Sequence, residues 1–170
     1  MAGSNGYNAE CLEVMDIVPA IKPIDLQTGA NNGTWVNMAV SYRCLVVLFK
    51  AAGTAGDDPI FTINQATDNA GTGSKALTFT RIRTKLGAST IPTTWTIATQ
   101  AAAGTYTPTS AANPALIAVD IKETDLDINN GFNHIQLVIP DTGTNAQLGC
   151  AFYIPFGLDQ PQSIPASSLS

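Results

Sequence analysis

Charge is what this sequence has least of: only 12% of its 170 residues are Asp, Glu, Lys or Arg, about half the ~25% share usual for a globular chain. Hydrophobic residues stand at an ordinary 45%, so much of the surface must be Thr, Ser, Asn, Gln, Gly and Ala. Dispersed charge is what normally keeps a surface from associating, and a chain this poor in it is expected to pack against partners. The formal charge of −5 and the pI near 4.5 exclude a general phosphate-binding surface, which needs clustered Lys and Arg. No direct contact with nucleic acid is expected.

Cysteine and histidine are scarce too. Cys11, Cys44 and Cys150 are odd in number, far apart and without CxxC-type spacing, which reads as free, partly buried thiols in a reducing compartment. His134 is the only histidine. One imidazole cannot build a multi-His metal site, and no GxSxG elbow supplies it with a nucleophile, so it is expected to be a strand-end residue satisfied locally. The longest apolar run, Cys44–Phe49, falls far short of the ~20 residues a membrane helix needs. The opening MAGSNGYNAE lacks the basic-then-apolar order of a secretory leader. A soluble protein made in the cytoplasm, with no membrane partner, is expected.

Other motifs fail at their diagnostic positions. The acidic stretch Asp120, Glu123, Asp125 and Asp127 leads into Asn129-Asn130-Gly131. Read as a calcium loop from Asp125, it has Asn130 at the sixth place and Gln136 at the twelfth, where an EF-hand needs Gly and Glu. Gly71-Thr72-Gly73-Ser74-Lys75 only superficially resembles a phosphate loop and reads as a flexible turn. Aromatics are 7% and spread along the chain, which does not suggest a sugar cleft; Trp35, Trp95, Tyr106 and Tyr153 are the residues a lectin-like module would use. No enzyme activity, catalytic residue, metal or cofactor is expected.

What the sequence does have is short apolar segments punctuated by Gly, Asn, Asp and Pro, the pattern of an all-β chain. Strands are predicted at Leu12–Val18, Ile24–Gln27, Thr34–Ser41, Tyr42–Lys50, Ile60–Gln65, Ala76–Lys85, Thr93–Thr99, Leu116–Lys122, His134–Ile139 and Gly149–Pro155. Ile117, Val119 and Ile121 share one face, as do Ile135, Leu137 and Ile139, so each strand has a buried side and a wet one. The unbroken run Cys44–Phe49 predicts a central strand covered on both sides. No segment keeps a helical period. The length suits one domain, and the fold class is an all-β jelly-roll or related Greek-key β-sandwich. Its expected organisation is a flexible N-terminal arm 1–11, the sandwich 12–159 and a flexible C-terminal tail 160–170, which reads QPQSIPASSLS after Asp159.

Arg81, Arg83 and Lys85 fall two apart and project from one face of their strand, concentrating three of only eight basic residues. Either this is a solvated strand face or it docks an acidic partner.

The stretches LVVLFKAAG (45–53), IFTINQATDNAG (60–71) and TDLDINNGFNHI (124–135) resemble small bacteriophage virion proteins of the capsid-decoration, or cement, type. The resemblance covers about the central two thirds of the chain and rests on short phrases, so no functional residue carries over from it. It implies a β domain bound to the outer surface of the major capsid protein lattice, present as a homo-oligomer, trimer or dimer, that stabilises the expanded shell. Its place would be the virion surface. Two other readings stand beside it: a tail, head–tail or fibre structural protein, and a jelly-roll carbohydrate-binding module.

Overall fold

The structure, a computed structural model, describes residues 11–87, 94–110, 112–141 and 143–158. Apart from Cys11, the expected arm 1–11 and tail 160–170 lie outside the described residues. A one-turn helix, α1 (Cys11–Val14), leads into strands β1 (Val18–Asp25), β2 (Asn31–Asn32), β3 (Val36–Asn37), β4 (Ser41–Lys50), β5 (Phe61–Ala66), β6 (Lys75–Ala76), β7 (Phe79–Leu86), β8 (Thr96–Ala103), β9 (Thr105–Tyr106), β10 (Ala115–Lys122), β11 (His134–Ile139) and β12 (Leu148–Leu158). The chain is all-β, and its strands form two antiparallel sheets.

The first sheet runs β1-β12-β4-β10-β7-β8 and the second β2-β11-β5-β6, with β3 also pairing β11 and β9 pairing β5. With β2 and β3 taken as one broken strand and β7 to β9 set aside, the order is β1-β12-β4-β10 against β2/β3-β11-β5-β6. That is the interleaving of a jelly roll, two Greek keys wound over one core. The β7–β8 hairpin is therefore an addition, which widens the first sheet on its β10 side.

Alternation puts one side of each long strand into the core. Cys44, Val46 and Leu48 of β4, Ile117, Val119 and Ile121 of β10, and Ala151 and Tyr153 of β12 meet Phe61 and Ile63 of β5 and Ile135, Leu137 and Ile139 of β11, all of them 0–1% exposed. Each such aliphatic side chain contributes about 1.5–3 kcal/mol on burial. A buried hydrogen bond ties the sheets together: the Leu137 N–H donates to the Tyr153 hydroxyl at 2.6 Å. A polar plug closes one end. Lys50, 0% exposed, pairs with Asp58 Oδ1 at 3.2 Å and donates to Gln147 Oε1 at 3.1 Å, while Ser110 donates to the same carboxylate.

Several predicted strands change shape. Leu12–Val18 is α1 followed by an isolated bridge, Met15 to Phe156, and only Val18 belongs to a strand. Of Thr34–Ser41 only Val36 and Asn37 enter the second sheet, and Ser41 begins β4. Ala76–Lys85 breaks into β6 in the second sheet and β7 in the first, because the chain crosses between layers at Leu77 and Thr78. Thr93–Thr99 shifts to Thr96–Ala103, Thr93 lying outside the described residues.

The expectation that β4 is covered on both sides is overturned. Leu45 and Val47 are half-buried and Phe49 is 42% exposed: the core lies on one side only, and nothing among the described residues layers over the other. No helix among the described residues is long and apolar enough to cross a membrane.

Candidate functional site

Ladder registers show what occupies the outer face of the first sheet. Phe49 has Cys150 of β12 on one side and Leu116 of β10 on the other; Val47 has Phe152 and Ala118; Leu45 has Ile154 and Asp120. Three consecutive cross-strand rows are therefore apolar almost without interruption. At the β1 end the surface dips into an open groove of about 390 Å³ lined by Pro23, Ile24, Phe49, Ala51, Leu148, Gly149 and Cys150. Ile24 is 45% and Leu148 56% exposed.

Arg81, Arg83 and Lys85 border this apolar field. The same registers continue Leu116 to Lys85 and Ala118 to Arg83, which puts the β7 cations on the outer face beside β10. The expected common face is thus the open one. Arg81 is exposed, and Arg83 and Lys85 are half-buried. The Lys85 ammonium lies 4.9 Å from the centre of the Trp95 ring, while neither arginine forms an ion pair with any described residue. Beside Arg81 is a polar depression of about 340 Å³ that also includes Asp120 and Asp125. The one acid among the three apolar rows, Asp120, is neutralised by Arg43, whose Nε donates to it at 3.1 Å; Arg43 also lies 5.8 Å over the Phe156 ring.

The other singled-out residues are dispersed, each with a local partner. The acidic stretch comes apart: Asp120 faces Arg43, Asp125 accepts the Lys122 N–H at 2.9 Å, and Asp127 pairs with Lys75 and with the Asn130 amide. Those contacts hold the Asp127 carboxyl below its usual range, Lys75 contributing most. Among the described residues no group of three or more His, Cys, Asp or Glu is placed to hold a metal ion. His134 opens β11, 7% exposed, its Nδ1 2.6 Å from Asn133 Oδ1, and burial lowers its pKa.

The segment 71–75 is a turn into β6, organised by Asp68 Oδ1, which accepts the Ala70 and Thr72 N–H groups at 2.9 and 3.0 Å. Gly71 takes φ +82° there, and a Cβ would sit 3.0 Å from the Trp35 ring, so no other residue fits as well. Cys11 is exposed, Cys44 buried and Cys150 half-buried, all three free; burial raises the pKa of both Cys44 and Cys150.

The aromatics do not converge. Tyr153 is in the core and Trp95 is 41% exposed on the first sheet, while Trp35 lies between β2 and β3 and Tyr106 belongs to β9 of the second.

The apolar outer field is the feature sequence reasoning missed. Its signal was present in the runs CLVVLF (44–49) and CAFYIPF (150–156), neither of which alternates as a strand with one wet face should. Comparison of the chain with protein-family models, with curated proteins and with solved structures finds no match.

Proposed function

We propose that this chain is a non-enzymatic virion structural protein that docks through the outer face of its first sheet onto the outside of a phage capsid and stabilises the expanded shell. The observation that carries the reading is the apolar field bordered by Arg81, Arg83 and Lys85. A six-strand face of eight-residue strands spans on the order of 700 Å² at strand spacings of ~4.8 Å and rises of ~3.3 Å. That is close to the ~800 Å² each partner contributes to a standard interface. The apolar rows occupy three of those six strands, and an exposed apolar patch rimmed by polar groups marks an interaction site. The cations fit a partner carrying carboxylates at the matching edge, where they steer encounter and fix orientation more than they add affinity.

The mechanism is mass action. A protein that binds the expanded lattice and not its precursor lowers the free energy of the expanded state by its binding energy, repeated at every site. The phrases that resemble decoration proteins point to the capsid as partner, and the scarcity of surface charge suits a protein that lives in an assembly.

The test is co-sedimentation with expanded, DNA-filled capsids lacking this protein. Saturable binding at a fixed ratio to the capsid subunit is expected. Phe49→Glu, and separately Arg81→Glu/Arg83→Glu/Lys85→Glu, should abolish binding with the circular dichroism spectrum unchanged. Wild-type protein that stays in the supernatant, or variants that still bind, overturn the reading; rings or fibres of free protein would favour a tail component.

A further inference from the structure

Lys50 is an amine sealed inside the molecule against a carboxyl group. Its side chain is 0% exposed and that of Asp58 12%, and the two meet at 3.2 Å, Nζ to Oδ1. The polar groups around them are held in place. Ser110, itself buried, donates its hydroxyl to the same Oδ1. Gln147, also buried, donates Nε2 to the Thr54 carbonyl at 2.9 Å, which turns its Oε1 toward the Lys50 Nζ at 3.1 Å. Gly53 makes room for that amide, since a Cβ there would overlap it. The residue after Asp58 is Pro59, which is buried. Having no N–H, it cannot close a succinimide on the Asp58 carboxyl, so the ring closure by which an aspartate condenses with its own backbone is blocked.

We propose that Lys50 and Asp58 condense to an isopeptide bond, a covalent modification the folded chain performs on itself. Keeping two opposite charges out of water is costly. Moving one proton from the ammonium to Oδ1 leaves an amine and an acid with the same proton count and no charge to desolvate. The neutral Nζ is then a nucleophile at the ~3–3.5 Å separation of an oriented intramolecular reaction, with Gln147 Oε1 accepting one of its hydrogens. Nζ adds to Asp58 Cγ. Ser110 gives its hydroxyl proton to Oδ1 and regains one from Nζ, and the Cγ–Oδ1 bond breaks as that oxygen leaves as water. One C–N bond forms, one C–O bond is lost, one water departs, and neither oxidant nor cofactor is consumed.

The bond would join the two layers of the sandwich. Lys50 ends β4 of the first sheet, and Asp58 stands three residues before β5 of the second. A tie of this kind holds under load and at any salt concentration, where an ion pair would be screened or pulled apart. It stands apart from the docking reading, because it concerns the chain alone and forms whether or not a capsid is bound.

The test is mass spectrometry of the folded wild-type protein, denatured only for the measurement. Its mass should be one water below that of the sequence, and Lys50→Arg and Asp58→Ala should each have their full calculated mass. Trypsin sites stand at Arg43, Lys50 and Lys75. Cleavage after Lys50 should fail, leaving the peptide 44–75 whole and one water light. Its fragmentation should yield no products from breaks between 50 and 58, because those backbone bonds lie inside a ring. Wild-type protein at its full sequence mass, a water loss mapped to other residues, normal cleavage after Lys50, or a loss that persists in Lys50→Arg would each overturn the proposal.

Discussion

Tyr153 shows how much one side chain can carry here. Its ring fills the core and its hydroxyl accepts the Leu137 N–H from the opposite sheet. Tyr153→Phe keeps the ring but strands that N–H, so stability should fall by about 1–3 kcal/mol, read as a lower urea midpoint at unchanged slope. Lys50 is a sharper case. Lys50→Met leaves Asp58, whose side chain is only 12% exposed, without its counter-ion, and breaking a buried pair costs about 3–5 kcal/mol; thermal unfolding will show it. His134 sets a pH dependence. Burial lowers its folded pKa, so the unfolded chain binds the proton more readily. Its contribution is fully present above the unfolded value of ~6.5 and is lost as pH falls through the folded pKa. Urea midpoints between pH 7.5 and 5 should decline, and less in His134→Gln. Sequence reasoning anticipated the local satisfaction of His134. The Lys50 plug was invisible to it, because the lysine's partners lie at 58 and 147 and no local pattern joins them.

At the scale of the element, legibility follows periodicity. β11 was predicted at its observed bounds, and β5 and β10 within a residue at either end, because their inward residues alternate; β4 was placed as closely by its unbroken apolar run. β2, β3 and β9 are two residues each, too short to show any period, and α1 was mistaken for a strand because its few apolar residues fit either template. The turn after β5 adds a prediction. Gly71→Ala both strains a positive φ and presses on Trp35, so the second sheet should lose stability by about 1 kcal/mol or more. The fall should be visible as faster amide exchange in β5 and β6.

For the whole molecule, sequence reasoning reached the jelly-roll class and the common direction of Arg81, Arg83 and Lys85. It did not reach what lies beside them. An unbroken apolar run is the same whether a strand is covered on both sides by its own chain or kept open for another, and only the layering of the sheets tells these apart. The outer field should therefore tolerate polar substitution in the free protein: Phe49→Glu is expected to leave the melting temperature nearly unchanged while improving solubility, both measurable without any partner.

The position of β12 carries a consequence for synthesis. It lies between β1 and β4 and hydrogen-bonds to both, so a strand made after all the other described strands fills the gap between two made early. Until residues 148–158 have left the ribosome, the first sheet lacks its middle and Tyr153 is missing from the core. Contacts of such sequence separation form slowly, and the nascent chain must carry open strand edges meanwhile. Stalled chains ending before Leu148 should stay protease-sensitive, and folding should appear only once residues 148–158 have emerged, as one late cooperative step.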